Sequence, residues 1–141
     1  MCDDYKVPVS QFENIRNGMD WTDDAGELVK NERLTSPASP ARSYAYCSDT
    51  KFMPSLHKLV KCATMLYHEA TYADDNIEKA EMYNHSTARQ AATVAKEAGV
   101  GTLLLGHFSQ RYADESVILN QAREVFENSV LAAEGKVFEV K

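Results

Sequence analysis

The stretch STARQAATVAKEAGVGTLLLGH, residues 86–107, decides how the rest of the chain is read. Ser86 can cap a helix over 86–97, Gly99 ends it, and 102–105 form a short apolar run suited to a buried strand. A helix followed at once by such a strand is the repeating step of an α/β layer. Working outward, Asp114 opens a second helix through 126, and brief strands are predicted around Val130 and Val137, separated by Glu134-Gly135-Lys136. Towards the N-terminus an earlier cycle has a strand over 43–48, a helix over 55–60, a strand over 64–68 and a helix over 75–83. Strands alternating with helices imply a sheet with helices on at least one face.

The chain changes character at Thr35-Ser36-Pro37-Ala38-Ser39-Pro40-Ala41-Arg42, where two prolines among small residues mark a linker. We divide it into a loosely specified flank (1–35), a linker (36–42) and an α/β part (43–141) of a single domain. In the flank, 9–17 can form a helix capped by Ser10 and stopped by Gly18, and Asp23-Asp24-Ala25-Gly26 suits a turn between short strands. A small sheet covered on one face leaves its other face exposed. That face calls for a further part of the polypeptide or a second copy, and a homodimer is expected of the chain alone.

With 141 residues, 44% hydrophobic and 26% charged, the chain has an ordinary globular composition. Its 21 acidic and 15 basic residues give a net charge of -6, which disfavours binding of nucleic acid through a general basic surface. Any RNA contact must be local, and metal cations would offset the acidic excess there. The acidic start Met1-Cys2-Asp3-Asp4 precedes no long apolar run, so neither a secretory signal nor a membrane span is expected, and the location is read as cytoplasmic. Cys2, Cys47 and Cys62 lack Cys-x-x-Cys spacing, which disfavours a disulfide framework; Cys47 and Cys62 are expected as buried thiols.

Four polar clusters stand after or between the predicted elements: Tyr46-Cys47-Ser48-Asp49-Thr50, His68-Glu69-Ala70-Thr71, His85-Ser86-Thr87, and Gly106-His107-Phe108-Ser109-Gln110-Arg111-Tyr112. Ligands of open α/β sheets bind beyond the carboxyl ends of strands, so Asp49, Glu69 and His107 can meet at one edge, with His85 joining them. Each has a plainer reading. Asp49 can cap a turn, His68 and Glu69 can be an exposed strand end, and His85 can simply precede an N-cap. His57, beside Lys58, reads as a surface residue.

In this order and spacing the four clusters resemble ribonuclease Z, of the metallo-β-lactamase superfamily, over a stretch from about Val7 to the end of the chain. The resemblance implies the C-terminal half of an αββα sandwich and a hydrolase with two zinc ions that removes the 3′ trailer from precursor tRNA. It implies that Asp49 is the carboxylate bridging both metals and His107 a histidine ligand. His85 then donates a proton to the departing ribose oxygen, Glu69 orients it, and Arg111 binds phosphate. A carboxylate suits the bridging task because its two oxygens can serve cations roughly 3.5–4 Å apart.

The superfamily's His-x-His-x-Asp-His motif and a further upstream metal-binding histidine are absent from this sequence. The chain is therefore expected to be a fragment that is inactive alone. Two other readings stand beside this one: a different phosphodiesterase of the superfamily, and a noncatalytic interaction module with a remnant fold.

Overall fold

The computed structural model describes residues 4–141, which form two compact units, one ending at Pro40 and the other beginning at Ala41. Cys2 lies outside the described residues.

The first unit contains a 3-10 turn, Val9–Gln11, running into helix α1, Phe12–Arg16, then strands β1, Trp21–Thr22, and β2, Leu28–Val29, and helix α2, Asn31–Leu34. Gly18, at φ +90°, follows α1 as predicted, whereas Ser10 makes no capping bond because it lies inside the 3-10 turn. The predicted turn is held by Asp23, whose Oδ1 accepts from the backbone N–H of Ala25 (2.9 Å) and of Glu27 (2.8 Å). Val7, Ile15, Val29 and Leu34 form its small core.

The second unit is an α/β layer. Its elements are β3, Tyr44–Cys47; α3, Leu56–Leu59; β4, Met65–Glu69; a 3-10 turn, Asp74–Asn76, leading into α4, Ile77–Tyr83; α5, Ala88–Ala98; β5, Thr102–Gly106; α6, Ser116–Arg123; and β6, Ser129–Leu131. The four strands pair in sequence order and all in parallel. In the register Cys47–His68–Leu105 the side chains share the face that packs on α5, with Leu66, Leu103 and Leu105 meeting Ala91, Ala95 and Ala98 in the main core. The alanines let helix and sheet approach closely.

Three details depart from the sequence reading. Thr87 rather than Ser86 caps α5, in a reciprocal box with Gln90, because the Ser86 hydroxyl is buried and donates to the Thr50 carbonyl at 2.7 Å. Asp114 stands two residues before α6, accepting from Ser116 N and Oγ. No strand forms around Val137, whose side chain is exposed; only β6 extends the sheet among the described residues.

The opposite sheet face carries Tyr44, Tyr46 and Tyr67, with Tyr46 and Tyr67 stacked at 4.6 Å between ring centroids. Tyr44 and Tyr46 are 51% and 64% exposed, which is high for aromatics on a strand. The tail runs beside this face, where Arg42 donates to the Val140 carbonyl at 3.2 Å. Of the cysteines, Cys47 is half-buried, and burial pushes its thiol up; Cys62 is exposed, contrary to expectation, because it turns at φ +56° in the α3–β4 loop.

Candidate metal-binding and catalytic site

Parallel pairing puts the carboxyl ends of β3, β4 and β5 side by side, and the site grows from those ends. Asp49 lies two residues beyond β3, Glu69 is the last residue of β4, and His107 directly follows β5. Asp49 (φ +48°) and His107 (φ +58°) adopt the left-handed conformation that only a few per cent of non-glycine residues take. Both lie where the chain turns off a strand end. His85 enters from the loop between α4 and α5. Asn84, at φ +60°, ends α4 in a left-handed cap, and the His85 N–H bonds back to the Ala80 carbonyl at 2.8 Å.

The sheet edge brings the four predicted residues together. His107 Nε2 is 3.2 Å from Asp49 Oδ1, and the His85 and His107 rings are 5.2 Å apart. One ligand atom from each of Asp49, His85 and His107 lies within 4.8 Å of the others.

Glu69 sits beneath them. Far from being an exposed strand end, its side chain has no solvent exposure, and neither has His68. Glu69 Oε1 accepts from Thr50 N–H (3.0 Å) and contacts His85 Nδ1 (2.8 Å); Oε2 accepts from Thr71 N–H (3.1 Å) and lies 2.6 Å from Thr71 Oγ1. Two backbone donors and two side-chain partners satisfy a buried carboxylate that would otherwise be costly. Gly106, paired with Glu69, leaves the space taken by the Tyr67 ring, which a Cβ would strike.

Arg111 stands at the rim. Its guanidinium lies over the Tyr72 ring, 5.3 Å from the centroid, and bonds Asn76 Oδ1 (3.1 Å) and Ser109 Oγ (3.2 Å). Tyr72 in turn meets the His85 ring edge-on at 6.2 Å. Its loop is docked by Ser109 N–H to the Thr71 carbonyl (3.0 Å), and the Tyr112 hydroxyl accepts from Ala73 N–H (2.9 Å). His57, read as a surface residue, is half-buried, with its Nδ1 3.3 Å from Glu97 Oε2.

A carboxylate oxygen and imidazole nitrogens are suitable zinc donors. Their chemistry fits zinc, and three such donors with a water in the fourth position can serve one ion but not two. Thr71 and Tyr72 are the site residues that sequence reading passed over. Thr71 ends a cluster singled out for its histidine and glutamate, and nothing in the pattern marks its hydroxyl as a contact of His107, 36 positions away.

The chain resembles known proteins in sequence and in fold. It is 49% identical to ribonuclease Z of Bacteroides fragilis over 134 residues, 95% of this chain and 44% of that protein. The chain is a relative of ribonuclease Z. The ribonuclease Z of Bacteroides thetaiotaomicron is 48% identical across 95% of the chain and that of Porphyromonas gingivalis 41% across 92%. The chain spans 44%, 42% and 43% of these three ribonuclease Z sequences, respectively. Among solved structures, human tRNase Z, short form, superposes with a TM-score of 0.57 at 28% identity, covering 81% of this chain and 37% of that one. The metallo-β-lactamase fold protein YhfI from Bacillus subtilis gives 0.63 at 26% identity, covering 70% and 40%. No family model matches the chain. The α/β layer is thus part of a metallo-β-lactamase fold, as the likeness to ribonuclease Z implied.

Proposed function

We propose that the chain contributes part of the active site of a zinc-dependent endoribonuclease that removes the 3′ trailer from precursor tRNA. The observation that carries this reading is the convergence of Asp49, His85 and His107 over the buried Glu69, in a chain 49% identical to a ribonuclease Z. Asp49 and His107 would hold zinc. When bound, the metal supplies neutralisation of phosphate charge and activation of a water nucleophile.

This chain's own side chains supply further parts of the site. Glu69 would hold the His85 Nδ1–H, so that the doubly protonated ring carries a second proton on Nε2, gives it to the departing ribose oxygen and is left neutral. Arg111, lying over Tyr72 and bonded to Asn76 and Ser109, would offer its remaining N–H donors to a phosphodiester oxygen. The same reading places the protein in the cytoplasm and the isolated chain in a homodimer closed over the tyrosine face; no helix among the described residues is long and apolar enough to cross a membrane.

One observation favours a second assignment for His85, since it belongs to the same 4.8 Å group as the two ligands. The deciding experiment uses a chimera in which this chain replaces the matching 134 residues of the Bacteroides fragilis ribonuclease Z. It should bind zinc and cleave precursor tRNA, and Asp49→Ala should abolish both. If His85 is the proton donor, His85→Ala keeps its zinc and loses turnover by about 10²–10⁴-fold; loss of zinc instead makes it a ligand. A chimera that folds and binds zinc but cuts only small phosphodiesters makes the protein a different phosphodiesterase, and one that folds without taking up zinc makes it a noncatalytic module.

A further inference from the structure

Among the described residues, Thr71 is the side chain that hydrogen-bonds both the buried carboxylate and the candidate ligand His107. Its Oγ1 is 2.6 Å from Glu69 Oε2 and 2.9 Å from His107 Nδ1. The direction of these two bonds follows from counting protons. Glu69 already accepts a backbone N–H on each oxygen, from Thr50 and Thr71, and an ionised carboxylate only accepts. The single hydroxyl proton of Thr71 is therefore directed at Glu69. What Thr71 shows to His107 is a lone pair, which favours a hydrogen on Nδ1, whereas Asp49 Oδ1, 3.2 Å from Nε2, favours one on the other nitrogen; the hydroxyl contact is the shorter, at 2.9 Å, and Asp49 is exposed to competing water.

We infer that Thr71 is a positioning residue that relays the Glu69 carboxylate to His107 and holds that ring in its Nδ1–H tautomer, so that the Nε2 lone pair faces Asp49. The inference rests on the reading of His107 as a metal ligand and adds a residue to it. Neutral imidazole in water favours the opposite, Nε2–H form, and in the absence of a cation Asp49 Oδ1 favours it too, which would place a hydrogen where the ligand lone pair is needed. The relay removes that competition before any ion arrives. Partners of this kind, bonded to the far nitrogen of a ligating histidine, typically change metal affinity by about 10–100-fold when removed. One buried carboxylate thereby orders both histidines: His85 directly, through Nδ1 at 2.8 Å, and His107 through the hydroxyl.

The test reads the tautomer itself. Long-range ¹H–¹⁵N correlation spectra of the metal-free 141-residue chain, recorded at about pH 8.5 where an ordinary imidazole is neutral, distinguish Nδ1–H from Nε2–H for each of its four histidines. We expect His107 as Nδ1–H in the wild type and in Thr71→Ser, and as Nε2–H or a mixture in Thr71→Val, which keeps the shape and loses the hydroxyl. Wild-type His107 in the Nε2–H form overturns the inference without recourse to any variant, as does an unchanged tautomer in Thr71→Val. Because this readout needs neither metal nor RNA, it stands or falls separately from the proposed nuclease activity. In the chimera, zinc affinity should fall by about tenfold or more in Thr71→Val and recover in Thr71→Ser; equal affinities in all three, with the tautomer changed, would remove the metal-ligand part alone.

Discussion

Glu69 accepts two backbone donors and contacts His85 and Thr71 from a position without solvent exposure, so its truncation leaves several polar groups buried and unpaired. Glu69→Ala should therefore destabilise the second unit by about 2–4 kcal/mol, read from chemical denaturation; a change within about 0.5 kcal/mol would mean that water replaces the carboxylate at no cost. Its neighbour His68 behaves differently. On the core side of β4 its Nδ1 faces the Glu69 carbonyl at 2.7 Å while its Nε2 meets no partner, and burial holds its proton affinity below the ordinary 6.5. An unfolded His68 binds a proton more readily than a folded one. Its contribution is thus fully present above about pH 6.5 and is lost as the pH falls through that value towards the lower folded one. His68→Leu should flatten the decline of melting temperature between about pH 7.5 and about pH 5, whatever its absolute stability; an unchanged slope would assign the acid sensitivity to other groups.

At the scale of elements, the site depends on how closely strands and helices pair. A Cβ on Gly101 would lie 2.5 Å from the Thr64 carbonyl oxygen, a backbone atom with little room to move, where the chain enters β5 beside β4. Gly101→Ala should cost about 1–3 kcal/mol of stability, measured by thermal or denaturant unfolding, because it pushes apart the strands whose ends present Glu69 and His107. A neutral effect would show that the two strand entrances can separate freely. Arg89, on α5, reaches both Asp74 and Glu124 at 2.6 Å, tying the helix to its neighbours on an exposed surface where such pairs contribute little. The order of elements was legible in the sequence, since Gly99 and the apolar runs punctuate the chain by simple conformational rules. The strand proposed around Val137 was not realised, because a short alternating segment does not become a strand unless a neighbour offers it hydrogen bonds.

At the scale of the molecule, the α/β layer has one face packed by helices and one bearing Tyr44, Tyr46 and Tyr67. If that face closes a homodimer, Tyr46→Glu should shift the isolated chain towards monomer in sedimentation by disrupting the stacked pair, whereas a wild-type chain already monomeric would discard the dimer. The sequence by itself determined the α/β class and the identity of Asp49, Glu69, His85 and His107 as the residues to watch, because helix caps, strand runs and side-chain chemistry are local properties. Only the tertiary structure decided that Glu69 is buried beneath two histidines, that Thr71 joins it to His107, and that Asp49 faces His107 across 3.2 Å. Those contacts join residues as many as 58 positions apart, and what brings them together is the parallel register of β3, β4 and β5, a non-local pairing that no short window of sequence contains.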